Sequence, residues 1–341
     1  MMRRWLAISC LVVVTAALFL AAGTFNRYHL DVATTLLTFI GLAQAWNILA
    51  GYGGLVSLGA SAFVGTGAYS AALLELHAGF GFPEAMVGAF LGGGILALVL
   101  AIPLLRLRGD YFSIGTLAAA LALQAWAVNW SFAGGSTGLN LPNDGLPSPV
   151  AVFRLACIVA ALSMIVAFVV ANSGFGTRLK AVRDNEAAAI GLGVAVFRHR
   201  LGALAISGAL SGLIGGLAAL QQISFEPSGM LGLSWTINAL LMTIVGGIGT
   251  VIGPVVGAVV VYYVLTKQLE SYQAASVIIE GVLLVGIVRF APRGLWPLLV
   301  LAVRRGLRAA RPASAKQKPR PGDSGAGKTL ATTAHARAHK V

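Results

Sequence analysis

Charge is what this chain has least of: Asp, Glu, Lys and Arg make up 10% of its 341 residues, against roughly 25% in soluble domains. A soluble globule must cover its exterior with polar groups, so this scarcity excludes one. Acids are scarcer still, 11 in all, and histidines number five: His29, His77, His199, His335 and His339. They fall at span ends, in loops or near the carboxyl end, without the spacing of metal ligands. No paired carboxylates or nucleophile–base combination lies at membrane depth, which excludes a membrane-embedded enzyme. The two cysteines, Cys10 and Cys157, sit inside apolar runs and read as small hydrophobes, not as a disulfide or thiolate site.

In place of charge there is apolar length. The chain is 57% hydrophobic with 43 glycines, and its mean hydropathy is +0.85. About 20 apolar residues cross the hydrocarbon core as a helix. Ten segments approach that length: 5–23, 31–50, 54–75, 85–105, 111–130, 150–172, 201–221, 233–247, 252–267 and 273–290. The expected fold is therefore all-α, a polytopic transmembrane bundle of about ten spans. The amino-terminal apolar run exceeds the roughly 7–15 residues of a signal-peptide core and is expected to be a retained helix. The Gly- and Ser-rich segment 54–75 and the short segments 233–247 and 252–267 are expected to be short or broken. Such helices occur at membrane depth where protein or a water-filled path surrounds them.

The net charge of +13 is distributed as loops beside an anionic leaflet require, and not as a nucleic-acid patch. With the amino end inside, 21 of the 24 Lys and Arg residues fall on the cytoplasmic side and three, Arg27, Arg154 and Lys267, on the other. An even number of spans then leaves both termini in the cytoplasm. Gly208, Gly212 and Gly216 recur every fourth residue, as do Gly249, Gly253 and Gly257. Small faces of this kind let helix backbones approach closely in lipid.

The expected domains are a membrane domain over 1–300, with its longest cytoplasmic loop at 173–200, and a basic, disordered cytoplasmic tail over 301–341. The tail contains GDSGAGKT, residues 322–329, which fits the phosphate-loop pattern G-x-x-x-x-G-K-[ST]. That loop works between a buried strand and a helix. Here a basic, proline-broken stretch precedes it and 12 residues follow, so a chance match in a disordered tail is expected.

In the 173–200 loop the pattern over 177–190 is helical, with Leu179, Val182 and Ala189 on one side, and Gly191 and Gly193 stop it. A short helix lying across the cytoplasmic face has the shape to dock into a groove on a partner, though a solvated loop helix would look the same.

The stretch RLKAVRDNEAAAIGLGV (178–194) resembles the Glu-Ala-Ala coupling loop of ABC importer permeases, and more narrowly the permease family of branched-chain amino acid importers. In order along the chain, NILAGYGGLVSLGASAFVGTGAYSAALL (47–74), LRGDYFSIGTLA (107–118), GGSTGL (134–139), INALLMTIVGGIGTVIGPVVGA (237–258) and FAPRGL (290–295) are similar to further signatures of that family. The resemblance covers roughly residues 31 to 297. It departs at Ala60 and Ser61, where the family often has His or a neighbouring polar residue, and beyond about residue 300.

What the resemblance implies is a multi-pass permease of the bacterial inner membrane that makes and breaks no covalent bond. It would form a path for branched-chain amino acids, or for urea, amides or aromatic acids in related permeases. An ion-coupled secondary transporter is the alternative from another class. The implied partners are ABC ATPase subunits, which would bind the ATP that this chain does not, a second related permease or an identical copy, and an extracytoplasmic binding protein, all in a lipid bilayer and without nucleic acid. Carried over by position, Arg183, Asp184, Asn185, Glu186, Ala187, Ala188 and Gly191 would contact the ATPase. The residues themselves, polar and inside spans, nominate Gln44, Asn47, Ser57, Ser61, Thr66, Asn238, Thr243 and Glu280 as lining a path. Glu280 stands out because an ionisable group in mid-span is costly unless it faces water or a partner. No metal site and no cofactor of its own is expected.

Overall fold

The computed structural model describes residues 13–141 and 147–263, together with 282, 286 and 294–296. Glu280, Cys10, most of the segments 5–12 and 264–290, and GDSGAGKT lie outside the described residues.

Helix follows helix, as the apolar lengths require. After a short apolar helix α1 (Val13–Thr24) come α2 (Arg27–Asn47), α3 (Ala60–Ala78), α4 (Phe82–Leu104), α5 (Asp110–Val128) and α6 (Pro149–Asn172). Then follow α7 (Gly174–Asp184), α8 (Glu186–Gly191), α9 (Val196–Gln222), α10 (Pro227–Met230), α11 (Ser234–Gly246) and α12 (Ile252–Val261). Among the described residues, six segments are long and apolar enough to cross a membrane: 27–52, 82–104, 110–128, 149–172, 196–222 and 227–246. At about 1.5 Å per residue, the 26 residues of the first reach about 39 Å. The all-α polytopic bundle is thus what the chain folds into. The one sheet among the described residues is a two-residue ribbon, Leu139 opposite Phe225 and Asn140 opposite Ser224.

The long helix α9 is the bundle's axis, its apolar stretch largely buried and packed on α3 and α4. Its glycines make that possible. A Cβ on Gly212 would strike the backbone of Ala89 and Gly93 on α4, one on Gly208 would strike Ala97, and one on Gly215 the backbone of Val64 on α3. The expected close-packing face is therefore present. Of the second glycine series, Gly253 and Gly257 pack α12 against α11, but Gly249 sits in the turn between them at φ +76°.

Two interruptions set the site described below. Segment 54–75, expected to be broken, is: α2 ends in a π-helical turn, Ile48–Tyr52, and the chain runs without helix to Ala60. The donors at and just before the start of α3 find hydroxyls, two of them from other helices. Leu58 N–H donates to Thr116 Oγ1 at 2.9 Å, Gly59 N–H to Ser57 Oγ at 3.2 Å, and Ser61 N–H to Thr236 Oγ1 at 2.9 Å. A helix start inside a bundle needs such acceptors, because its first four N–H groups have none of their own. The second interruption is the hairpin of α11 and α12, whose turn lies against the end of α2.

The loops sort onto two faces. One gathers Arg108, Arg183 and Arg200 around shared grooves. The opposite face carries the β-ribbon, Arg27 and a belt of stacked aromatics: Trp126 on Trp130 (4.4 Å between ring centres) and His77 on Phe132 (4.3 Å). Aromatic residues collect at membrane–water boundaries for their mixed polarity.

Candidate functional site

The loop between α6 and α9 turns its corner at Ser173. Its Oγ caps α7 by accepting from Gly176 N–H at 3.1 Å, as a Ser N-cap does. Gly176 lies so close to the Val170 carbonyl that no side chain fits there. The Lys180 ammonium then donates to the Ala171 carbonyl at the end of α6 (2.7 Å) and stands 5.1 Å from the centre of the Tyr52 ring. Leu179 and Val182 on α7 and Ala189 on α8 are all buried, which matches the face expected for them.

The single helix expected over 177–190 is two. Asn185 is extended (φ −158°, ψ 104°) and its Oδ1 accepts from Ala188 N–H at 3.0 Å. The break has a local cause: Asn caps a helix better than it continues one, and Glu186 follows in the first turn of α8, where the helix dipole favours an acid. Gly193, at φ +79°, stops α8 as expected.

The three charged residues expected to face a partner, Arg183, Asp184 and Glu186, each also make an ion pair within the chain. Glu186 pairs with Arg200 on α9 at 2.8 Å. Arg183 holds Asp184 at 2.8 Å and donates from Nη1 to the Gly51 carbonyl at 2.6 Å, in the π-helical turn of α2. Gly54, at φ +70°, leaves the space through which the Arg183 stem passes. What α8 and the turn after it present outward is apolar: Ile190 is 57% and Leu192 82% exposed, beside Ala187, Ala188 and Gly191, whereas α7 exposes Thr177, Arg178, Arg183 and Asp184. A groove of about 340 Å³ runs from Arg183 and Asn185 to Gly53 and Asp110, and a second of about 390 Å³ from Ile190 to Leu107. Sequence reasoning missed Ile190 and Leu192, although both fall off the buried face of Leu179, Val182 and Ala189.

From Arg183 a chain of hydrogen bonds leads into the bundle. Asn47, one turn before Gly51, accepts from Gly249 N–H at 2.8 Å and donates to the Thr250 carbonyl at 2.8 Å. Gln44 donates to the Val251 carbonyl, and Thr243 Oγ1 to the Ala43 carbonyl at 3.1 Å. Three of the path candidates, Gln44, Asn47 and Thr243, thus come together where α2 clasps the α11–α12 hairpin. Ser57 and Ser61 sit apart at the start of α3. Asn238 donates to the Ser234 carbonyl of its own helix (3.0 Å). Four buried polar atoms of this set, Gln44 Oε1, Ser61 Oγ, Thr66 Oγ1 and Asn238 Oδ1, have no hydrogen-bond partner among the described residues. Among those residues no group of three His, Cys, Asp or Glu could hold a metal ion.

Residues 28–288 match the family described as branched-chain amino acid transport system / permease component. The chain is 28% identical over 304 residues to the high-affinity branched-chain amino acid transport system permease protein LivM of Salmonella typhimurium, covering 80% of this chain and 71% of that one. Against LivM of Escherichia coli the identity is 27% over the same shares. It is also 27% identical over 331 residues to the autoinducer 2 import system permease protein LsrC of Salmonella typhimurium, covering 89% of each. No solved structure matches.

Proposed function

We propose, from the premise that this chain belongs to the permease family of branched-chain amino acid transport systems, that it forms the path for branched-chain or related amino acids in an ATP-driven importer. The observation that carries this reading is the pair α7–α8: an apolar tip held outside the bundle and wired to its interior through Arg183. A rigid element gripped by a domain that opens and closes can bias a two-state bundle, since each state is selected by its differential contacts with the partner. In this reading Ile190, Leu192, Ala187, Ala188 and Gly191 enter a cleft on an ATPase subunit, and Asp184 lines its rim. Arg183, Asn185 and Glu186 hold the tip in shape. The face carrying α7 and α8 is cytoplasmic, as its basic loops favour. A second permease chain and an extracytoplasmic binding protein complete the importer. The partnerless oxygens of Ser61, Thr66, Gln44 and Asn238 offer polar contacts to a solute crossing between states. The likeness to an autoinducer 2 import permease favours a second reading, a substrate other than an amino acid.

Two substitutions test the coupling. With Leu192→Asp, an exposed apolar anchor becomes a charge. The permease is expected to stay in the membrane and to lose at least about tenfold of its co-purifying ATPase, the cost of placing an unpaired charge in an apolar cleft. Retention of the ATPase at the unsubstituted level would remove the docking assignment. Glu186→Lys sets a second cation against Arg200 and is expected to uncouple ATP hydrolysis from uptake in vesicles. Unchanged transport in that variant would sink the role given to α8.

A further inference from the structure

We infer that the cavity at the outer end of α2, on the face opposite α7 and α8, is a receiving site for a zwitterionic α-amino acid with an apolar side chain. It rests on the amino acid reading above. Arg27 and Asp31 stand one helical turn apart on α2 and line the same cavity. Opposite charges at this spacing have Cβ atoms about 5–6 Å apart and ordinarily close on each other. Here they do not: the ion pairs among the described residues are Arg183–Asp184 and Arg200–Glu186. A guanidinium and a carboxylate, both without an ion-pair partner among the described residues and facing one space, are complementary to the carboxylate and the ammonium of one amino acid.

The rest of the cavity fits the remainder of such a molecule. Its volume is about 360 Å³, within the roughly 300–1,000 Å³ of small-molecule sites. Leu30, Val152 and Leu220 give it an apolar floor and are themselves buried. Ile223 closes one wall at φ +58°, a left-handed conformation that a β-branched residue adopts only when its surroundings impose it. The imposing contacts are the end of α9, where Ile223 N–H meets the Ala219 carbonyl at 2.9 Å, and the strand ribbon, where Leu141 N–H donates to the Ile223 carbonyl at 2.9 Å.

The charge pattern sets specificity. Arg27 would take the carboxylate through two parallel hydrogen bonds, and Asp31 would take the ammonium. A ligand carrying only one of the two charges leaves the other side chain facing no partner, so discrimination works by omission as well as by contact. A protein partner docking on this face would need Arg27 and Asp31 but not the enclosed apolar floor, and the experiment separates the two.

The full-length chain is purified with its ATPase subunits in lipid nanodiscs, without a binding protein. Binding of radiolabelled leucine is then competed with leucinamide, which lacks the carboxylate, and with 4-methylpentanoate, which lacks the ammonium. The unsubstituted chain is expected to prefer leucine over each analogue by at least about tenfold, the scale of one charge-assisted hydrogen bond. Arg27→Ala is expected to erase the preference over leucinamide and Asp31→Asn the preference over 4-methylpentanoate. Each loss is selective, which misfolding would not produce. Should the complete importer take up leucine while both variants keep both preferences, or while the unsubstituted chain binds no leucine, the site is overturned and the proposed function stands. Weakened association with a binding protein at unchanged preferences overturns it in favour of a docking surface. An importer that takes up no zwitterionic amino acid overturns the proposed function and the site with it.

Discussion

Arg183→Ala is expected to leave the permease folded, in the membrane and bound to its ATPase, yet to lower uptake at least about tenfold while ATP hydrolysis continues. Arg183 does not form the apolar tip, so docking through Ile190 and Leu192 survives its loss. What goes is the 2.6 Å hydrogen bond from its guanidinium to the Gly51 carbonyl in the π-helical turn of α2, while the Lys180 ammonium over the Tyr52 ring of that turn stays. Beyond Gly51 lie Asn47 and Gln44, which hold the turn at 249–251, so Arg183 gives a push on α7 a hydrogen-bonded route to the α11–α12 hairpin. A hydrogen bond from a charged donor is worth about 1.5–3 kcal/mol, or roughly 10–100-fold in an equilibrium between two states. The side chain is 36% exposed, which places the effect toward the lower end. Lys at the same position keeps the charge but not the fork, and Arg183→Lys is expected to restore only part of the coupling. Uptake and ATPase activity measured together in proteoliposomes check this. A fall in both by the same factor would mean that Arg183 maintains docking and not transmission.

How much of this was legible in the sequence depends on the range of the interaction. Apolar length placed the segments that became α2, α4, α5, α6 and α9, because a helix in lipid satisfies its own backbone and needs little else. The buried face of Leu179, Val182 and Ala189 was legible for the same local reason. The break at Asn185 left a signal, an Asn before Glu186, but the Ala run beyond it pulls the pattern toward one continuous helix. The clasp of α2 on the hairpin left none. Gln44 and Asn47 bond to backbone atoms about 200 positions away, and a backbone carbonyl has no signature in the sequence. Their polarity inside a span therefore suggested a path, and the structure adds a bond from each to the hairpin turn. The inward commitment of Arg183 and Glu186 was hidden likewise: a charge in a polar loop looks the same whether it meets a partner protein or its own chain.

Gly212→Val is the substitution expected to do the most damage to the fold itself. Between α4 and α9 the glycines Gly93, Gly208 and Gly212 bring backbone against backbone, and a Cβ on Gly212 would lie 2.8 Å from the Gly93 Cα and 3.0 Å from its N, and closer still to the Ala89 carbonyl. All three obstacles are main chain within a helix, so no rotamer change relieves them and the two helices must part. Parting them unpacks α3 as well, since Gly67 rests on the backbone of Gly212 from its other side. In lipid no hydrophobic gain between helices offsets such a loss, because the acyl chains are as apolar as the interface they would enter. Overpacking by a methyl group alone costs about 1–3 kcal/mol, which sets the expectation for Gly212→Ala: a lowered melting midpoint in detergent with monodisperse protein retained. With two further methyl groups Gly212→Val is expected to yield no monodisperse protein in size-exclusion chromatography. Gly174→Ala serves as the contrast, since a Cβ there meets nothing within 4 Å, and its midpoint should match the unsubstituted chain. Equal behaviour of Gly212→Val and Gly174→Ala would show that α4 and α9 do not approach through these glycines.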